Sequence, residues 1–401
     1  MGFGAIIASG EKNQLLSDDL MDCLTEVRVE QFLDEPTRFA IRFQEDIRDG
    51  EPFIMKSPEL QCNQMITIAV QVDQKMKCLV RGPITDMKCS VTLGGPGSWH
   101  EVHGQDRRVE MDRECVHYAW SSLASEAAEA ILNKRIQDKK KFDRISVEKT
   151  RIVYGGKPVK GRPTASTLNQ RYTDLAFIRR IARDCGLHFW IEYQCLRNGL
   201  DPSGQSLTVK EQANLKSSPR RPKDAPAGPI PVDQMKLVPT VPVKLRVNVE
   251  KEQCQNVTAF DLTMNPERPN RFVGAAKDDR DAKPPHDVFI EDSPQPPIIR
   301  GGQRFAGCKE PRDLCITTAG NQEELQCKAE AALTEAGWFV DATASTTVHM
   351  LGGVLLPHDV VEVEGLGKDH SGPYQVKAVT HVINAADHFM DIQLRRNCGA
   401  M

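Results

Sequence analysis

Residues 168–193 read LNQRYTDLAFIRRIARDCGLHFWIEY. The stretch has the chemistry of one compact unit. Thr173 is a predicted N-cap, and Asp174 places a negative charge in the first turn of the helix that follows. Leu175, Ile178, Ile181 and Ala182 fall on one helical stripe, whereas Arg179, Arg180 and Arg183 lie off it. Gly186 is placed to end the helix, because glycine enters the left-handed region without a Cβ penalty. The next run, LHFWIEY, has the β-branched and aromatic content of a strand.

A second, distant stretch is equally structured. Residues 351–396 read LGGVLLPHDVVEVEGLGKDHSGPYQVKAVTHVINAADHFMDIQLRR. Val361 and Val363 alternate with Glu362 and Glu364, the pattern of a half-buried strand. GLGKDHSGP is a turn cluster. Tyr374, Val376 and Ala378 alternate with Gln375 and Lys377, so the apolar set is expected inside and the four polar residues outside. Ile383 to Asp387 makes another turn, and Phe389 to Leu394 closes a third strand with Met390, Ile392 and Leu394 on one face. Upstream, NQEELQCKAEAALTEAG (321–337) is predicted helical. Asn321 and Glu324 have capping-box spacing there, and Gly337 is the stop.

Together these two stretches resemble the baseplate hub proteins of contractile tail-like systems: the late control gene D family of phage tails and the hub part of VgrG spike proteins. In the first stretch the resemblance rests on Asp174, Phe177, Arg179, Arg180 and Gly186. In the second it rests on Gly372, Tyr374, Val376, His381, Arg395 and Arg396. It implies an α+β, mainly β fold: two similar antiparallel tube-forming β-barrels with an α/β insertion between them. The implied boundaries are 1–112 for the first barrel and 113–195 for the insertion. A Pro-rich linker with a strand returning to the first barrel would occupy 196–250, and the second barrel 251–401. The implied function is structural: a homotrimer adapting a three-fold spike to a hexameric ring of tube protein, among other baseplate components. Assembly in the cytoplasm is implied, with the finished particle released by lysis. Because the sequence ends at Met401 just after the second barrel, the spike is expected to be a separate polypeptide.

The rest of the chain fits this organisation. A length of 401 residues predicts roughly two to four domains. Period-two runs at LTEVRVEQF, TRFAIRF, ITIAVQV and MKCLVRGPI predict strands between residues 22 and 92. GGPGSWHEVHG (94–104) reads as a loop. AWSSLASEAAEAILNKRI (119–136) reads as a helix with Leu123, Ala127, Ala130 and Ile131 as its apolar stripe. Residues 201–242 read as Pro-rich loop, and PVKLRVNV (242–249) resumes alternation. Residues 66–93 and 360–394 share one plan of strand, turn, bent strand, turn and strand, a faint internal repeat. Three copies of a doubled unit give a pseudo-six-fold surface.

Net charge is −3, which excludes nucleic-acid binding by bulk charge. The charge is uneven: residues 1–60 carry 6 basic against 13 acidic side chains, and residues 133–183 carry 15 against 4. The run KRIQDKKKFDR (134–144) is expected to be a solvated face, with contact to an acidic neighbour as the alternative. The 12 cysteines include no CxxC pair or zinc spacing and are expected to be mostly buried free thiols. The start of the chain is no signal peptide, and no stretch is apolar enough to span a membrane.

The sequence offers little to catalysis. Gly155, Gly156 and Lys157 lack a P-loop ending. His100 and His103 have metal-like spacing without an evident third ligand. Cys185 beside His188, and Asp184 with Glu192, are weak nucleophile and carboxylate pairs, since a helix C-terminus disfavours a thiolate. Tyr374 and Phe189 are expected to anchor cores. No enzyme activity, cofactor or metal is therefore expected, and a soluble β-rich hydrolase is the alternative. Phe177→Asp should abolish folding by burying an unpaired charge, whereas His103→Ala should leave folding and particle assembly intact. Loss of a hydrolytic activity in a well-folded His103→Ala protein would overturn the structural reading.

Overall fold

The computed structural model describes residues 4–45, 47–48, 51–72, 75–92, 97–136, 139–152, 154–155, 167–201, 203–218, 239–249, 255–265, 267–269, 271–276, 286–290, 313–315, 319 and 322–396. Alternating apolar residues build six strands at the N-terminal end: β1 (Ala5–Ser9), β2 (Leu24–Phe32), β3 (Arg38–Gln44), β4 (Met65–Val72), β5 (Lys75–Ser90) and β6 (Trp99–Gln105). A mixed segment follows, with α1 (Ala124–Leu132), β7 (Arg144–Val147), α2 (Asp174–Cys185), β8 (His188–Leu200) and β9 (Leu207–Lys216). The C-terminal part has β10 (Lys244–Arg246), β11 (Ala259–Met264), α3 (Gln322–Ala336), β12 (Val340–Thr347), β13 (Val360–Glu364), β14 (Gly372–Asn384) and β15 (His388–Arg396).

The two ends repeat one strand order. In the sheet, the first set runs β1-β4-β5-β6-β3-β2, and the second runs β10-β13-β14-β15-β12-β11. Each strand thus has a counterpart nine labels later with the same neighbours. Both sets include a meander whose long middle strand, β5 or β14, carries a bulge in its pairing with the third strand. The sets differ at one edge, where β1 pairs β4 antiparallel and β10 pairs β13 in parallel. With the short strand Gln14–Leu15 beside β1, they join into one 13-stranded sheet because residues 378–384 of β14 also pair with β2, from Ala378↔Phe32 to Asn384↔Glu26.

Each set keeps its own apolar core. Val27, Val29, Ile41, Phe43, Ile66, Ile68, Val80 and Val102 pack together in the first, and Val340, Val361, Val363, Tyr374, Val376, Ile392 and Leu394 in the second. The bulge between Val376 and Ala378 lets β14 serve both. One extra residue shifts which side chains point to which face. Tyr374, Val376 and Val379 therefore fill the second core, while Ile383 enters the first. The mixed segment has a third core, in which Phe177 is 0% exposed among α1, α2, β8 and β9.

Several expectations need correction. The run read as a loop over 94–104 contains β6, in the middle of the sheet, with His100, Val102 and Gly104 inward. Residues 94–96 lie outside the described residues. β9 lies within the stretch read as Pro-rich loop and pairs with β8 and β7 in a separate three-stranded sheet. Helix α1 begins at Ala124, because Tyr118–Trp120 instead pairs with Leu168–Gln170, and Ala130 is exposed while Ala128 is buried. Val361, Val363, Val376 and Ala378 are buried as expected and Lys377 is exposed, but Gln375 is fully buried. Its amide accepts from Arg395 and donates to Ser218, which satisfies it without solvent. Of the described cysteines only Cys78 is buried, and Cys62, Cys89, Cys115 and Cys315 are exposed. A small, weakly polar thiol loses little in water. Asn321, the expected cap of α3, lies outside the described residues.

Gly104 is required by packing. A Cβ there would sit 2.1 Å from Phe39 Cζ and 2.5 Å from the Pro83 carbonyl oxygen. Gly104→Ala should therefore destabilise the protein by about 1–3 kcal/mol, as overpacked cores do. Urea unfolding measures this, and an unchanged midpoint would show that β6 has room the packing does not reveal.

Candidate assembly site

Helix α2 is built as its sequence dictates. Thr173 Oγ1 accepts from Ala176 N–H at 3.3 Å. The Asp174 carboxylate accepts from Lys134 Nζ at 3.0 Å and from Gln170 Nε2 at 2.7 Å. Leu175, Phe177, Ile178, Ile181 and Ala182 are buried, and Arg179 and Arg183 are exposed. Gly186 ends the helix at φ +65°, and a Cβ there would lie 3.4 Å from Ala331 Cβ of α3. The glycine thus turns the chain where α2 meets α3.

The C-terminal residues are held from inside. Gly372 opens β14 at φ +129°, a conformation that favours glycine. Tyr374 is buried, donates its hydroxyl to the His370 carbonyl at 2.7 Å, and lies under the Arg396 guanidinium at 5.1 Å. Arg395 is 2% exposed. Its Nε donates to Gln375 Oε1 at 2.8 Å, its Nη1 to Glu335 at 2.9 Å, and its cation stacks 4.3 Å from the Trp338 ring. This ties β15 to the end of α3.

Helices α2 and α3 border an open groove of about 1310 Å³. Arg179, Arg180, Arg183, Arg268 and Lys328 line it against Asp34, Asp184 and Glu335, five cations to three anions. Asp34 projects from the β2–β3 connection and contacts His188 Nδ1 at 2.6 Å. Burial pushes the Asp34 carboxyl up, but the His188 hydrogen bond and the charges of His188, Arg395 and Arg179 outweigh it and lower it. The Asp34 side chain is 56% exposed, so solvent screening leaves this group little weight in stability.

His381 lies elsewhere, at the joint of the two strand sets. Its Nε2 is 3.1 Å from Gln31 Oε1 on β2, and its Nδ1 is 3.0 Å from His388 Nε2. Since Gln31 Nε2 donates to the Leu79 carbonyl, Gln31 Oε1 is the acceptor and His381 Nε2 carries the proton. Burial, then the neighbouring His388 and Lys77, hold His381 well below the usual histidine range, and burial lowers His388 to about 4.

The weak catalytic pairs do not assemble. Cys185 meets Cys327, whereas His188 faces Asp34. Asp184 pairs with Lys328 and Arg180, whereas Glu192 accepts from Asn214. His100 and His103 point to opposite sheet faces, and His103 Nε2 lies 2.7 Å from Glu101 Oε1. Gly156 and Lys157 lie outside the described residues. Phe189 is 2% exposed in the core of the mixed segment, and the Arg108 guanidinium lies 5.7 Å from its ring. Sequence reading missed two buried ionic ties. Arg108 bonds Asp106 on its own 3₁₀ turn and donates to the carbonyls of Phe189 and Glu35. Glu211 of β9 lies 3.3 Å from Arg81 and 3.2 Å from Arg107. In QDRRVE the only signal was charge density, which more often marks a solvated surface.

No protein-family model matches the sequence, and no curated protein matches it. Solved structures do. A tail protein from Neisseria meningitidis MC58 superposes with a TM-score of 0.61 at 12% identity, covering 99% of this chain and 97% of that one. The 43 kDa tail protein of prophage MuSo2 from Shewanella oneidensis gives 0.56 at 13% identity, covering 98% of each chain. The fold is that of phage tail proteins. The E. coli c3393 protein, a type VI secretion component described as similar to the T4 bacteriophage tail proteins gp27 and gp5, gives 0.50 at 12% identity, covering 93% of this chain and 73% of that one. Among the described residues no helix is long and apolar enough to cross a membrane.

The histidine pair makes stability depend on pH. Unfolded histidines titrate near 6.5, and His388 in the fold titrates at about 4. The unfolded state therefore binds more protons between these values, so the contribution is intact above about pH 6.5 and is lost as pH falls toward 4. The melting temperature should drop across this window, and His381→Gln, which cannot charge, should flatten the profile. An equally steep profile in His381→Gln would place the dependence elsewhere.

Proposed function

We propose that this chain is a structural baseplate hub of a phage tail or related contractile injection system. In this reading it forms a homotrimer that meets a hexameric tube ring on one face and a spike on the other. The two strand sets are its two tube-forming barrels, and the segment around 113–195 is an insertion outside the ring. The groove lined by Arg179 and Arg180 is a contact for other baseplate components.

The observation that carries the proposal is the repeated strand order together with the β14–β2 joint. After its bulge, β14 adds its free edge to β2. The counterpart of β14 is β5, whose residues 86–90 pair only with β6 among the described residues. The counterpart of β2 is β11, which pairs only with β12 among the described residues and is largely exposed. Unpaired strand edges are hazards that proteins cover. If β5 of one copy takes β11 of the next, the joint inside the chain is repeated between chains. Three copies then close a ring of six similar units.

The repeat sets the register of that contact. Val379, Ile392, Ala344 and Phe260 lie in one row across the second set, and Met87, Val102, Ile41 and Val27 form the matching row in the first. Val379 faces Gln31, four residues beyond Val27, so Met87 should face Met264 of the next copy. A Met87→Cys/Met264→Cys protein should cross-link under mild oxidation into a ladder ending at the trimer. Wild type and either single variant should not. A double variant that stays monomeric and uncrosslinked at all concentrations would refute the ring.

A further inference from the structure

Glu45, Cys89 and His100 place a carboxylate oxygen, a thiol sulfur and an imidazole nitrogen within 4.8 Å of one another. The sheet itself creates the cluster. Cys89 of β5 and His100 of β6 are directly opposed cross-strand partners. Glu45 follows the last residue of β3, and its backbone N–H donates to the Ser98 carbonyl at 3.0 Å. Three adjacent strands thus deliver one donor each.

His100 is the decisive member. It is 1% exposed, yet among the described residues neither ring nitrogen has a hydrogen-bond partner. A buried polar group left unpaired costs about 1–3 kcal/mol, so native structures rarely keep one without a reason. Its opposed neighbour is a metal-binding residue type. Glu45 is itself 4% exposed and is held by backbone donors, Ile54 N–H at 2.7 Å and Met55 N–H at 3.1 Å. Such outer hydrogen bonds fix the direction in which a ligating carboxylate presents its lone pairs.

We propose that Glu45, Cys89 and His100 form a binding site for a divalent zinc ion. One nitrogen, one sulfur and one carboxylate oxygen suit a borderline-soft cation better than magnesium or calcium, which favour all-oxygen shells. Tetrahedral zinc with bonds of about 2.0–2.3 Å holds its ligands about 3.5 Å apart. In the proposed site the three ligands draw in to that spacing, with the exposed Cys89 side chain turning toward the metal. Cys89 gives up its thiol proton to solvent on binding, the metal takes the thiolate, imidazole and carboxylate lone pairs, and water from the open side fills the fourth position. No redox change is involved. The site lies within one chain and is independent of whether copies form a ring. Its effect would be to cross-brace the ends of β3, β5 and β6.

The test uses the purified full-length chain, kept reduced and freed of metal, titrated with cobalt(II) and then zinc. One equivalent of cobalt should produce a thiolate-to-cobalt charge-transfer band that zinc abolishes. Cys89→Ser should eliminate the band, and His100→Gln should weaken binding at least tenfold. Cys115→Ser, which removes another exposed thiol, should change neither. Because Cys89 is exposed, its serine variant should fold and decides the matter even if His100→Gln does not. Absence of the band in wild type, or its persistence in Cys89→Ser, would overturn the proposal.

Discussion

Strand β14 hydrogen-bonds along both edges, and over residues 378–384 one edge is taken by β2 from the far end of the sequence. The single bulge at Lys377 makes this possible. Before it, the inward residues of β14 belong to the C-terminal core; beyond it, Ile383 belongs to the N-terminal core. Removing the extra residue would turn Val379, His381 and Ile383 to the opposite face and detach both cores at once. The positions of α3, of the groove and of Asp34 all follow from this joint, because β15 and β2 are fixed by it.

Polar residues specify the joint where apolar packing alone would leave the register loose. His381 and Gln31 are both buried, and this alignment bonds them to each other, beside the bonds they make to His388 and to the Leu79 carbonyl. A slip by one residue would break that bond and leave His381 Nε2 and Gln31 Oε1 buried and unpaired, at about 1–3 kcal/mol each. Arg395 works similarly at the other end of β14. Its guanidinium is held by Gln375, Glu335 and the face of Trp338, which come from β14, α3 and the residues just after α3, while Nη2 has no hydrogen-bond partner among the described residues. Glu335 is largely exposed, so the ion pair itself contributes little, and the stack and the buried Gln375 bond hold the geometry.

Much of this was legible in sequence wherever side-chain periodicity matched burial. Helix α2, with Thr173 at one end and Gly186 at the other, follows its apolar stripe, and β2, β3 and β13 follow theirs. Strand β6 escaped because its inward residues are His100, Val102 and Gly104: the alternation is there, but without the apolar weight that normally signals it. Gln375 escaped because its burial depends on Arg395, twenty residues away in sequence. The meeting of Arg179 and Arg395 around Asp34 could not be read at all. It depends on a strand pairing between segments about as far apart as the chain allows, which no local pattern encodes.

That same separation has a consequence during synthesis. Gln31 and His381 are 350 residues apart. At about 5–20 residues per second, β2 waits on the order of 20–70 s for the strand that will cover its edge. During that interval it is a long apolar strand with an open row of amides, the kind of surface that recruits other chains. Its outward face carries Glu26, Arg28 and Glu30 in alternation with Val27 and Val29. In the finished protein these charges do little beyond a surface pair between Arg28 and Glu30. In the nascent chain they discourage the edge from pairing with the wrong partner before β14 arrives.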